Sequence, residues 1–309
     1  MTGAVLLALV PIVLLIGLGH ALRRTAFLAE AFWPQAERLA YFVLLPALFL
    51  HGLATTRLGA LPVWQMAVAL IGAILLVSAA VVLARPLMRI DGAAFTSVFQ
   101  GSVRFNNYVA VTIAVGLFGA EGLTLSAICT AAIVPTVNVL CVLVFARWGR
   151  ARLNARGVAR QIVTNPLVVS CVAGIALQAT GLGLPPGLDA ALKALGAASL
   201  PLGLLCVGAA LDFGAARQWV APVVVSSVAK FLVMPAAALA IALALGLRGE
   251  PLVVVLLFEA MPTASSAYIL ARQLGGDAPL MAGITAVQTV LAAASIPVVL
   301  ALLLAIAGA

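Results

Sequence analysis

The sequence predicts an all-α polytopic membrane protein: ten transmembrane helices in two inverted five-helix repeats, with helices 4 and 9 broken. Three observations lead there: an apolar composition, basic loops that alternate in density, and landmarks that recur at one offset along the chain. The chain has 309 residues, of which 65% are hydrophobic and 8% charged, with a mean hydropathy of +1.24. A soluble domain has roughly 45–50% apolar and about 25% charged residues. So little charge cannot coat a water-facing surface, which excludes a soluble enzyme, a disordered chain and a nucleic-acid-binding domain. Long unbroken runs such as Leu291–Ala309 exclude an outer-membrane barrel, whose strands of about 10 residues alternate in polarity.

A spanning helix needs about 20 apolar residues. Ten such segments fit, at 4–22, 36–55, 62–84, 95–118, 122–146, 162–180, 190–211, 218–245, 251–271 and 278–307. The first lacks a basic leader and is too long for a cleavable signal, so it is expected to stay in the membrane. Basic residues orient the set. Arg23, Arg24, Arg38, Arg85, Arg89, Arg147, Arg150, Arg152, Arg156, Arg160, Arg217 and Arg272 fall on one side. Arg57, Lys193 and Arg248 fall on the other, while Arg104 and Lys230 lie within spans. The dense side is the cytoplasmic one, which places both termini outside the cytoplasm and also accounts for the net charge of +8.

The Arg-rich linker 147–161 divides a first repeat (1–146, helices 1–5) from a second (162–309, helices 6–10). Five spans per half make the second half enter from the opposite side, as in inverted-repeat transporters. Pro11 and Pro166, Gly19 and Gly174, Pro46 and Pro201, and Asn107 and Pro262 each stand 155 residues apart.

Polar residues inside a span each cost several kcal/mol and point to function. The fourth segment reads Gly101-Ser102-Val103-Arg104-Phe105-Asn106-Asn107-Tyr108. Arg104 lies about nine residues, roughly 14 Å, into the membrane. The adjacent Asn106 and Asn107 favour turns over helix. The ninth segment carries Glu259, Pro262, Thr263, Ser265 and Ser266, and Pro262 must interrupt its helix. Irregular backbone at this depth belongs to a cavity, and half-helix N-termini favour an anion. Lys230, Asn138 and Gln288 add polar groups in the eighth, fifth and tenth spans. The bland readings are an Arg104–Glu259 structural bridge, a snorkelling Lys230, Pro46, Pro201 and Pro235 as packing kinks, and interfacial His20 and His51. Cys129, Cys141, Cys171 and Cys206 sit apart in apolar runs as packing residues. There is no HExxH, no phosphate loop and no Gly-x-Ser-x-Gly, so no enzyme chemistry or cofactor is implied.

Several stretches resemble the auxin-efflux-carrier family of permeases, within the superfamily that includes the bile-acid carriers. They are Val10-Pro11-Ile12 with Gly17-x-Gly19 and Arg23-Arg24, Leu44-Leu45-Pro46-Ala47-Leu48, Arg104-Phe105-Asn106, Gly119-x-Glu121-Gly122 and Pro135-x-x-Asn138-Val139-Leu140. Asn165-Pro166-Leu167, Leu200-Pro201-Leu202, Met261-Pro262-Thr263-Ala264 and Ala267-Tyr268-Ile269-Leu270-Ala271 continue the likeness. The resemblance implies a scaffold of helices 1, 2, 6 and 7 and a transport domain of helices 3–5 and 8–10 that slides past it like an elevator. It also implies substrate beside the crossed breaks and a homodimer through the scaffold helices. The plant members carry Pro at the first crossover and a long cytoplasmic loop; this sequence has neither, which makes auxin itself a poor expectation.

The expected function is a secondary carrier of a small organic anion, a mono- or dicarboxylate such as malonate or malate. Substrate would meet Arg104, Asn106, Asn107, Tyr108, Pro262, Thr263, Ser265, Ser266 and Lys230; Glu259, Asn138 and Gln288 would serve the coupling ion, H⁺ or Na⁺. No metal site is expected beyond a Na⁺ position near Glu259. An exporter of amphipathic auxin-like or bile-acid-like anions, a non-transporting receptor and a channel are the alternatives. The setting expected is a bacterial inner membrane, with lipids as the other partner and no nucleic acid.

Overall fold

The computed structural model describes residues 2–55, 61–149, 164–212 and 219–307. Arg57, Arg217 and the linker residues Arg150, Arg152, Arg156 and Arg160 lie outside them. Among the described residues every regular element is helical. In chain order they are α1 (Thr2–Arg24), α2 (Phe32–Leu39), α3 (Leu45–Thr55), α4 (Val63–Met88), α5 (Gly92–Val103), α6 (Asn107–Trp148) and α7 (Pro166–Thr180). The remainder are α8 (Pro186–Ala209), α9 (Val220–Val228), α10 (Met234–Ala244), α11 (Gly249–Glu259), α12 (Ser266–Leu274) and α13 (Ala278–Ala307).

Six described segments are long and apolar enough to cross a membrane: Phe32–Thr55, Val63–Met88, Gly92–Trp148, Pro186–Ala209, Val220–Ala244 and Ala278–Leu300. The ten segments read from sequence differ from these for local reasons. Stretch 251–271 is divided into α11 and α12, of 11 and 9 residues. α7 has 15 residues. Gly92–Trp148 runs for 57 residues, roughly 85 Å of helix at 1.5 Å per residue, against a hydrocarbon core of about 30 Å. It is interrupted at 104–106, and Gly119 (φ 56°, ψ −130°) breaks the helical geometry with a kink inside α6. That backbone conformation is open to glycine and strained for other residues.

Prolines shape two further spans. Five-residue π turns, Ala40–Leu44 and Ala229–Val233, join α2 to α3 and α9 to α10. Each ends two residues before a proline, Pro46 or Pro235. Proline lacks the N–H for the helical bond and crowds the carbonyl four residues back; a widened turn relieves both. Side-chain caps start other helices. Asp91 accepts from the Ala94 N–H at 2.7 Å, and Asn165 from Leu167 at 3.0 Å, with Pro166 in the first helical turn. Such a cap contributes about 1 kcal/mol.

Helix packing runs in two groups of pairs, joined by contacts of α6 with α1, α3, α7 and α8. α1 lies along α8, and α3 along α7 and α8. α4 packs on α10 and α6, and α11 on α6 and α13. Glycines bring backbones together in the first group, the usual device for helix association where lipid offers no hydrophobic drive. Gly19 of α1 faces the backbone of Leu205 in α8, and Gly174 of α7 faces the backbone of Leu50 in α3. The second contact is the first displaced by 155 residues, since Gly19 corresponds to Gly174 and Leu50 to Leu205. His51, read as interfacial, instead meets Asp189 of α8 (Nε2 to Oδ1, 3.0 Å).

Candidate functional site

Two helix interruptions meet inside the protein. α5 stops at Val103; Arg104 and Asn106 are extended, and the chain re-enters helix at Asn107. Asn106 caps the new helix, its Oδ1 accepting from the Val109 N–H at 3.3 Å. Its own backbone N–H donates to the carbonyl of Pro262 at 2.7 Å. Pro262 lies in the second interruption, between Glu259 and Ser266. A short polar side chain starts the helix after the first break by capping its N–H groups; the missing N–H of Pro262 keeps the second break open.

Gln288 of α13 ties the two together. Its Oε1 accepts from the Thr263 N–H at 3.0 Å, and its Nε2 donates to the Gly101 carbonyl at 2.9 Å. Phe105 and Phe258 pack across the crossing with ring centres 5.6 Å apart. Gln288 is wholly buried, so it satisfies backbone groups that neither helix can satisfy itself.

On one side of the crossing is a cavity of about 740 Å³. Arg104, Asn106, Asn107, Tyr108, Asn138, Ser265 and Ser266 line it, so seven of the sequence-predicted site residues come together there. Arg104 Nη1 donates to Asn138 Oδ1 at 3.1 Å, and Thr130 Oγ1 donates to Asn107 Oδ1 at 2.9 Å. Arg104 Nε, Asn106 Nδ2, Asn107 Nδ2 and the Tyr108 hydroxyl are buried without a hydrogen-bond partner among the described residues. Three of these are pure donors. Surplus donors beside a guanidinium fit a ligand that supplies acceptors, as a carboxylate does.

Behind the crossing is a different environment. Lys230, Glu259, Thr263 and Gln100 are buried, and none of the four is among the residues lining the cavity. Among the described residues, Lys230 Nζ, Glu259 Oε1, Thr263 Oγ1 and both Gln100 amide atoms have no hydrogen-bond partner. Lys230 and Glu259 are close enough for their charges to interact, without an ion pair within 4 Å. Lys230 belongs to the π turn Ala229–Val233.

The structure thus divides the sequence-predicted set. Lys230, Pro262 and Thr263, grouped with substrate, lie away from the cavity lining, whereas Asn138, grouped with the coupling ion, lines it. Glu259 and Gln288 lie behind the crossing. Two bland readings are corrected. Arg104 pairs with Asn138, not Glu259, because they meet across α6. Lys230 does not snorkel, being 0% exposed.

Sequence reasoning missed Glu37, Tyr41, Asn165 and Gln100. Ser265 Oγ donates to Glu37 Oε1 at 2.7 Å, and Asn165 Nδ2 donates to the Tyr41 hydroxyl at 3.2 Å. The signal for two of them was present: Glu37, Tyr41 and Leu45 recur every four residues, which places them on one helix face.

Comparison with known proteins agrees with this picture. A family profile described as membrane transport protein matches residues 4–300. No curated protein is matched by the chain. The match covers the multi-span body and both interruptions, and the chain belongs to the membrane transport protein family, that of the auxin efflux carriers.

Proposed function

We propose that this protein is a secondary carrier for a small carboxylate, mono- or dicarboxylic, held at the crossing of the two interruptions. Arg104 neutralises a carboxylate of the solute, and Asn106, Asn107 and Ser265 supply hydrogen bonds. The observation that carries this reading is the cluster of unpartnered donors around Arg104, on the wall of a 740 Å³ cavity. That volume is typical of small-molecule sites.

The ten-span inverted repeat belongs to the same proposal. It is supported by the paired contacts Gly19–Leu205 and Gly174–Leu50 and by the meeting of the breaks at Asn106 and Pro262. Helices α1, α2, α3, α7 and α8 form the scaffold, through which two copies pair; the rest form the sliding domain. The cavity is lined by Arg38, Thr164 and Gln273, at the Arg-rich ends of their segments, which corresponds to a cytoplasm-facing state in a bacterial inner membrane. Glu259, whose charge interacts with that of Lys230, is the seat of the coupling ion, a proton or Na⁺.

The test is counterflow in proteoliposomes with a panel of labelled carboxylates including malonate and malate, with and without pH and Na⁺ gradients. Saturable exchange that Arg104→Ala abolishes is the expected result. Exchange unaffected by Arg104→Ala removes the assigned role, and ion-channel currents in its place remove the carrier reading.

A further inference from the structure

The carrier reading leaves one carboxylate in the cavity without a task. Glu37 reaches the cavity from α2, and its Oε1 accepts from Ser265 Oγ at 2.7 Å. That bond holds the carboxylate toward the second interruption and leaves its other oxygen free to accept. Among the described residues Glu37 makes no ion pair within 4 Å. Arg38, next in sequence, also lines the cavity, but it is exposed and does not pair with Glu37.

Arg104 is in the mirrored position. It lines the same cavity, its side chain bonds the neutral amide of Asn138, and among the described residues no carboxylate pairs with it within 4 Å. The two groups come from different elements: Glu37 from α2, which packs with α8, and Arg104 from the break that precedes α6. Opposite charges thus share one cavity without compensating each other. A partly desolvated charge is costly unless paired. A simple carboxylate would satisfy Arg104 and add a like charge near Glu37.

We infer that the solute carries an ammonium group as well as a carboxylate: an amino acid or similar amino-carboxylate, with its carboxylate at Arg104 and its ammonium at Glu37. This deepens the carrier reading and rests on it. It assigns Glu37 as a specificity residue contributed by the scaffold, which touches the solute only while the cavity is in this state.

The experiment uses the full chain and matched pairs differing by one amino group: aspartate and succinate, glutamate and glutarate, leucine and 4-methylpentanoate. Binding to purified protein is read by thermal shift and exchange by counterflow in proteoliposomes. Glu37→Gln is the informative variant, because its amide oxygen still accepts from Ser265 while the charge is removed. The amino member of each pair is expected to be favoured by about tenfold or more, since a site built for a polar group rejects the analogue lacking it. In Glu37→Gln that preference is expected to fall to near parity. Preference for the plain carboxylate in the unaltered protein, or an unchanged ratio in Glu37→Gln, overturns the inference while the carrier stands. Amino-carboxylate binding without counterflow overturns the carrier and leaves the inference standing. No binding and no exchange for any pair overturns both.

Discussion

Asn106 donates its backbone N–H to the carbonyl of Pro262 over 2.7 Å, so two helix breaks that lie 156 residues apart in sequence are joined main chain to main chain. Each break frees backbone groups that a single helix would have satisfied. Buried at this depth they need partners, and each break supplies one to the other.

Gln288 completes that exchange, which makes it a stability residue with a measurable share. Gln288→Leu removes both bonds and strands the Thr263 N–H and the Gly101 carbonyl. Each buried group left unmade costs about 1–3 kcal/mol. A lower unfolding temperature for detergent-solubilised Gln288→Leu is expected, with Gln288→Glu intermediate, because its carboxylate still accepts from Thr263 but donates nothing to Gly101.

Lys230 and Glu259 form a buried couple without a direct ion pair. Removing one partner leaves the other charge uncompensated, at a cost of about 3–5 kcal/mol. Lys230→Met and Glu259→Gln are each expected to lower thermal stability. The double variant is expected to regain most of it yet to lose any dependence of transport on the coupling-ion gradient. Thermal unfolding and gradient-driven uptake, measured on the same preparations, separate these effects.

Gly203 of α8 faces the ring of Tyr108 so closely that a methyl group there meets the aromatic carbons. Gly203→Ala is expected to reduce transport severely by jamming the surface between the two helix groups. Tyr108→Leu in the same chain is expected to restore part of it by clearing the clash. Counterflow rates of the two single variants and the double test the coupling; an additive double variant would count against a shared contact.

Arg104 is distinguished from a generic positive charge by its fork of donors. Arg104→Lys keeps the charge but loses the geometry. Its exchange is expected to fall at least about tenfold, corresponding to the loss of one charge-assisted hydrogen bond. Saturation curves for the labelled solute check this.

Much of the architecture was readable from residues. The apolar composition fixed the class. The Asn106–Asn107 pair and Pro262 located the interruptions, because both act through local backbone chemistry. The π turns before Pro46 and Pro235 follow from the same chemistry. What could not be read depends on tertiary packing. Glu37 falls at the start of the segment 36–55, and nothing along the chain announces its bond with Ser265 in the cavity. The division of Lys230 from Arg104 by the crossing is invisible along the chain, as is the pairing of His51 with Asp189 across 138 positions. Asn138 and Gln288 were both recognised as intramembrane amides, but their partners decide that one serves the cavity and the other the crossing.

The central claim is that the crossing is reached by water from either side in turn. Ser266 lines the cavity, and the native cysteines are all buried, so Ser266→Cys provides a reporter. Labelling it with a membrane-impermeant maleimide in right-side-out and inside-out vesicles tests the claim most directly. Modification from both faces, with one face protected when solute is added, is predicted. Modification from one face alone, indifferent to solute, would contradict it.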